Sequence, residues 1–311
     1  SGLSSGLHGY ALFPLCQRPE ASAGHQELLR LPGRHGSSHG TGAALFCRKS
    51  RPGQPVPGVF LQQDAPDVFG IGNNMVKSLR YWMRALGLTI EGGTSGVKLS
   101  PMGALVAKYD PYIENPFTLW LMHSYIAKNK GDATSWYMYF NYCDANDLEK
   151  HQIYTILLRK ITQYAGEQKF SEKSLNSDID VLLNMYSKNK IKSDPEDKNI
   201  SPFSQLAMIK NTDGKYTKNH PDRRIFSEFV VLYELENMLD GREGLSIDEA
   251  VNGENGLAKI YNLTSVMANE YFDRLDAAGY IRVVRTAGLD MIYPVKMSGA
   301  LKVAEEYYKN C

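Results

Sequence analysis

Cysteine is scarce in this chain and poorly placed for chemistry. The four in its 311 residues (Cys16, Cys47, Cys143 and Cys311) form no C-x-x-C pair. That leaves no zinc-finger, iron–sulfur or dithiol signature, and it suits a reducing cytoplasm. It also argues against a persulfide carrier, which needs an exposed, activated thiol. No apolar run approaches the length that crosses a bilayer, and the N-terminus carries no signal-peptide pattern. Charge of either sign is not in excess: the net value is +1, so any basic surface has to be local. A P-loop, a Rossmann glycine fingerprint, a Ser-His-Asp order and a P-D-x-D/E-x-K nuclease box are all missing, and no organic cofactor is expected. What is present is a chain with 43% hydrophobic residues, long enough for two or three domains.

The most informative stretch runs from Gly70 to Leu88. Gly70 and Gly72 suit a tight turn, and Asn73 is placed to cap a helix. Val76, Leu79, Met83 and Leu86 then recur at helical spacing as a buried stripe. Lys77, Arg80, Tyr81 and Arg84 form a second stripe on another side, and no acidic residue interrupts the helix. Gly87 is placed to end it. Leu88 to Glu91 and Val97 to Leu99 read as short strands joined by a turn at Gly92, Gly93 and Gly96, and Gln62 to Phe69 as a short upstream helix. Helix, turn, basic helix, hairpin is the order of a winged helix-turn-helix, whose second helix enters the major groove. On that reading Asn73, Asn74, Lys77, Arg80, Tyr81 and Arg84 contact double-stranded DNA. The alternative is an ordinary amphipathic surface helix.

The expected fold is mainly α with small β-hairpins (α+β), two winged helix-turn-helix units flanking a helical middle domain. Residues 1–58 are crowded with Gly, Pro, Ser and Arg without a sustained period, which reads as disorder or a linker. Residues 59–110 form the DNA-reading unit, with Ser100-Pro101 starting a helix. Residues 111–200 form the helical middle, including an aromatic stretch at Trp136 to Tyr142, an amphipathic helix from Leu148 to Tyr164 and a basic run at Lys188, Lys190 and Lys192. In residues 201–311 a hairpin turns at Asp213-Gly214, and Asp222-Arg223-Arg224 opens a long helix. There Ser246 starts a helix, Leu257 to Tyr261 reads as a second and Thr264 caps a third ahead of two strands, which repeats the winged pattern. Glu270, Asp273 and Asp276 on the third of these helices would repel phosphate, so this copy reads as a protein-contact or dimerisation scaffold.

Three motifs carry a family resemblance. Phe69 to Trp82 reads FGIGNNMVKSLRYW. Leu99-Ser100-Pro101-Met102-Gly103 runs on to Tyr109-Asp110-Pro111-Tyr112-Ile113-Glu114-Asn115-Pro116 and Thr118-Leu119-Trp120-Leu121-Met122-His123. Ser201-Pro202-Phe203-Ser204-Gln205-Leu206 is the third. In this order they resemble the bacterial family catalogued as domain of unknown function 4007, from Val59 to the C-terminus. Members of that family are similar to the SspB component of DNA phosphorothioation clusters, which serve in defence against phage. The resemblance implies a DNA-binding protein that nicks one strand in a metal-dependent step before sulfur insertion. It also implies two partners, a cysteine desulfurase and a sulfurtransferase related to PAPS reductases. The family's usual opening, Gly-His-Glu-Thr-Phe before a basic residue and a Trp, survives here only as Gly40-Thr41 and Phe46-Cys47-Arg48-Lys49. Residues before about Val59 therefore read as an aberrant or foreign leader.

Metal-assisted phosphodiester cleavage needs hard oxygen ligands around an Mg²⁺- or Mn²⁺-like ion and a route for activating water. Within the matched motifs the candidate ligands are Asp110 and Glu114, with His123 completing a catalytic set. The alternatives are that the carboxylates cap turns and helix starts, and that His123 is a hydrogen-bonded core residue. Two other functions stay open: a non-enzymatic DNA-binding regulator or recruiting platform, and a protein-interaction scaffold.

Overall fold

The computed structural model describes residues 73–92, 96–166, 170–187, 201–286 and 288–310. The expectations for residues 1–72 and for the basic run at 188–192 lie outside the described residues. Within them the protein is mainly helical with three small antiparallel sheets, an α+β arrangement.

Helix α1 (Asn73–Ala85) buries Val76, Leu79 and Met83 as its period requires, with buried Leu86 just past its end, and adds Trp82, which packs edge-to-face on Trp136. It ends in a Schellman motif. Gly87 sits at φ 75°, its N–H bonds to the Arg84 carbonyl, and Leu88 N–H returns to Met83. That reversal sends β1 (Thr89–Glu91) back to pair with β2 (Val97–Leu99). Ser100 then caps α2 (Pro101–Tyr109), accepting from Gly103 N–H while its hydroxyl donates to the Gly87 carbonyl. Gly103 lies hard against the Leu88 backbone: a Cβ there would sit 1.9 Å from the Leu88 oxygen.

Asn115 and Pro116 start α3 (Pro116–Lys128). The spacing of Leu119, Trp120, His123 and Ile126 predicts a single core face. The structure instead buries ten of its thirteen residues, because α3 is the axis on which other elements pack. Around it stand α4 (Thr134–Tyr142), a 3₁₀ turn at Pro202–Leu206, α7 (Glu228–Met238) and α9 (Leu257–Tyr261). Helices α5 (Lys150–Ala165) and α6 (Glu172–Ser187) complete the middle of the molecule. Strands β4 (Ile209–Thr212) and β5 (Lys215–Lys218) turn at Asp213-Gly214, both with positive φ, as a hairpin of this type needs. Strand β3 (Leu148–Glu149) adds to β5.

Helix α7 begins later than the sequence suggests. Ser227 is its cap, whereas Asp222 holds a preceding turn through the backbone and guanidinium of Arg224. Then come β6 (Leu245–Ser246), α8 (Ile247–Asn252), α9, α10 (Ser265–Ala277), β7 (Ile281–Thr286) and β8 (Leu289–Pro294), with sheet order β6-β8-β7. Ser246 and Thr264 cap α8 and α10. The last described helix, α11 (Ala300–Asn310), is capped by Glu236 of α7, which accepts from Ser298 and Gly299 N–H. Its far half docks on the α2–α3 corner, where Phe117 stacks on Tyr307 at 3.9 Å and Tyr109 bonds Glu305. One continuous hydrophobic core runs from Val76 to Ala304 and draws on most of these elements. Among the described residues no helix is long and apolar enough to cross a membrane.

The Gly103–Leu88 approach gives a direct test. Gly103→Ala is expected to cost about 3 kcal/mol, because backbone must move to admit the methyl group. Gly131→Ala, which meets only the Asn129 side chain at 3.9 Å, should leave the denaturant midpoint almost unchanged.

Candidate nucleic-acid interface

Along α1, Asn74 and Lys77 are exposed, and Lys77 makes no ion pair among the described residues. Asn73 opens the helix. The other members of the basic stripe are engaged within the protein. Arg80 grips Glu91 through Nη2 at 2.7 Å and Nε at 3.3 Å. Arg84 reaches the same carboxylate through Nη1 at 3.3 Å and Asp132 through Nη2 at 2.8 Å. Tyr81 donates to the Asp132 carbonyl. Partial burial pushes the Glu91 carboxyl upward, and bonding and attraction to Arg80 and Arg84 outweigh it, leaving the group below its ordinary value. Sequence reading missed Glu91 and Asp132 as part of this surface. The signal for Glu91 was there: a strand that reverses immediately after Gly87 brings its residues back along the helix it has just left.

The second cluster expected from the motifs is only partly brought together. Asp110 is buried, and Glu114 four residues on is exposed. Asp110 accepts from Glu114 N–H at 2.9 Å, Asn115 N–H at 3.1 Å and the Thr118 hydroxyl at 2.6 Å. Thr118 Oγ in turn meets the Tyr308 hydroxyl at 2.6 Å. Burial raises the Asp110 carboxyl, these bonds oppose it, the nearby Glu114 charge adds to it, and the net shift is upward. Asp110 thus spends three hydrogen bonds on the turn and first helical residues of α3. No group of three His, Cys, Asp or Glu that could hold a metal ion occurs among the described residues. Among the described residues, no third His, Cys, Asp or Glu joins Asp110 and Glu114 to make a metal-holding group.

His123 stands apart from both, fully buried in α3. Its Nε2 faces the Ile260 carbonyl at 2.8 Å and Nδ1 faces the Tyr186 hydroxyl at 2.8 Å. A carbonyl only accepts, so Nε2 carries the proton and Nδ1 receives the Tyr186 bond. Burial drives this imidazole down to about 4, partly offset by the Ile260 bond. It is a neutral core group.

In the last unit the acidic face of α10 is also occupied. Glu270 pairs with Arg223 at 2.8 Å, Asp273 with Arg285 at 2.8 Å, and Asp276 accepts from Val283 N–H. Arg285 of β7 is thereby committed, and Arg282 is exposed.

The class that these features define is an α+β protein with the fold of SspB. An SspB crystal structure aligns at a TM-score of 0.73 and 21% identity, covering 91% of this chain and 90% of that one. A magnesium ion-bound SspB crystal structure aligns at 0.71 and 19%, covering 92% and 85%. The family described as "Protein of unknown function (DUF4007)" matches residues 49–308, and the chain belongs to it, in agreement with the motifs. A search among curated proteins finds no match.

The buried imidazole sets a pH dependence of stability. In the unfolded chain His123 takes up a proton near 6.5, whereas in the folded protein it does so only near 4. Its contribution is therefore complete above pH 6.5 and is lost as pH falls towards 4, by about 3 kcal/mol. Urea unfolding across that window should show this loss, and His123→Gln should flatten the slope.

Proposed function

We propose that this protein is an SspB-like component of a bacterial DNA phosphorothioation and phage-defence system, acting in the cytoplasm on double-stranded DNA. In this reading it nicks one strand to allow sulfur incorporation. It works with a cysteine desulfurase and a PAPS-reductase-like sulfurtransferase, and it has the option of homodimerisation. The observation that carries the proposal is the shared SspB fold over nine-tenths of both chains, joined to membership of the DUF4007 family.

One local arrangement supports DNA binding, and a second supports the winged-helix reading of the last unit. The order α1, β1, β2 with exposed Asn74 and Lys77 matches a groove-reading helix followed by a wing. The order α7, β6, α8, α9, α10, β7, β8, with β6 hydrogen-bonded to the far strand of the final hairpin, matches the second winged-helix unit. The occupied Asp110 favours a second reading, in which the protein presents DNA to a partner and does not cut it.

Supercoiled plasmid incubated with and without Mg²⁺ or Mn²⁺ separates the two. Open-circle product that appears only with metal supports nicking, and its survival in Asp110→Asn and Glu114→Gln would move the active site elsewhere. No product alongside salt-sensitive binding supports the platform. Lys77→Ala should weaken binding to all duplex sequences and reduce the slope of log K against log salt by about 0.9. An unchanged slope removes Lys77 from the interface.

A further inference from the structure

The basic stripe of α1 already holds an anion. Arg80 presents Nε and Nη2 to the two oxygens of Glu91, the forked geometry with which arginine takes carboxylate or phosphate. Arg84 adds a third N–H to the same carboxylate. Its remaining groups are unevenly used: Nη2 meets Asp132, and the buried Nε has no hydrogen-bond partner among the described residues. Two guanidinium groups therefore face two carboxylates, and the patch is locally neutral although α1 itself carries no acid.

This arrangement is not a lock needed by the fold. The side chains of Arg80, Arg84 and Glu91 are 31%, 38% and 41% exposed, and ion pairs this wet contribute little to stability. Glu91 ends a three-residue strand and is followed by Gly92, whose N–H closes the turn on Gly96. Rotation about its own side-chain bonds carries the carboxylate off the arginines without breaking a strand pair.

We propose that Glu91 is a resident competitor for nucleic-acid phosphate at the Arg80–Arg84 pair. In the free protein its carboxylate fills the guanidinium fork, and a phosphodiester of duplex DNA displaces it. The proposal rests on the DNA-binding reading above and adds the residue that sets how selective the site is. A single small anion competes poorly with a carboxylate tethered beside the arginines. A duplex brings many phosphates at once, engages Lys77 in the same encounter, and so pushes Glu91 aside.

The test is fluorescence anisotropy of a short labelled duplex across a salt series, using the full chain. Glu91→Gln should bind about three- to tenfold more tightly at low salt and show a steeper salt slope, because no displaced carboxylate then has to regain counterions. Asp132→Asn, which frees Arg84 from the other side, should give a smaller gain. Asp240→Asn, which removes the same charge from an exposed position elsewhere, should give none, and in an Arg80→Ala/Arg84→Ala background the Glu91→Gln gain should disappear. Salt-sensitive wild-type binding that Glu91→Gln and Asp132→Asn leave unchanged or weaken overturns this proposal while DNA binding stands. Silence from the wild type at low salt overturns both, and is told apart because no variant is needed to see it. If Glu91→Gln melts early, Asp132→Asn decides: a gain supports the competitor, and none overturns it.

Discussion

Glu234 places a carboxylate almost wholly out of water, and the arrangement of three helices follows from how its oxygens are filled. One accepts from the Ser124 and Tyr261 hydroxyls, and the other is held by Lys128 at 2.6 Å. Ser124 and Lys128 are one turn apart on α3, Tyr261 ends α9, and Glu234 lies on α7. Removing Lys128 would leave the buried charge without its counter-charge at a cost of several kcal/mol, and losing either hydroxyl would cost less, so together these contacts fix how the three helices meet. His123 extends the same constraint to α6 through Tyr186, inside an edge-to-face cluster with Trp120, Phe140 and Tyr261.

The candidate interface hangs on this fixed centre by polar and close-packed ties. Trp82 meets Trp136 of α4, Tyr81 and Arg84 reach Asp132 in the α3–α4 connection, and Gly103 seats α2 against Leu88. The charges of α1 are thus set by neighbours from outside the helix. Its charged residues are all basic, yet two of the three meet carboxylates from outside the helix. The same holds on α10, whose acids are met by Arg223 and Arg285.

What was legible in the sequence is what a short window determines. The buried stripe of α1, the Gly87 stop, the Ser100, Ser246 and Thr264 caps and the Asp213-Gly214 hairpin all follow from residues a few positions apart. Helix α3 read as one-faced because periodicity reports how a helix differs between sides, and a helix buried all round has no such contrast. Asp222 looked like a helix opener because its turn and a helix start use the same residue types. His123, Asp110 and the arginines of α1 were nameable as chemistry-bearing groups. What each one does depended on Tyr186, Ile260, Thr118 and Glu91, which lie from 7 to 137 positions away.

The closure made by α11 bears on how the chain is assembled. Tyr308 and Thr118 are 190 residues apart in sequence, and Tyr109 and Glu305 are 196 apart. During synthesis the corner between α2 and α3 emerges long before the helix that covers Phe117 and completes the Thr118 bond. That aromatic corner therefore stays uncovered until α11 has emerged. The early helices cannot reach their final packing as an independent unit, and completion of the fold waits on contacts of the longest range, which form slowly. The chain is made sequentially, but its last described helix closes on the corner of two of the earliest.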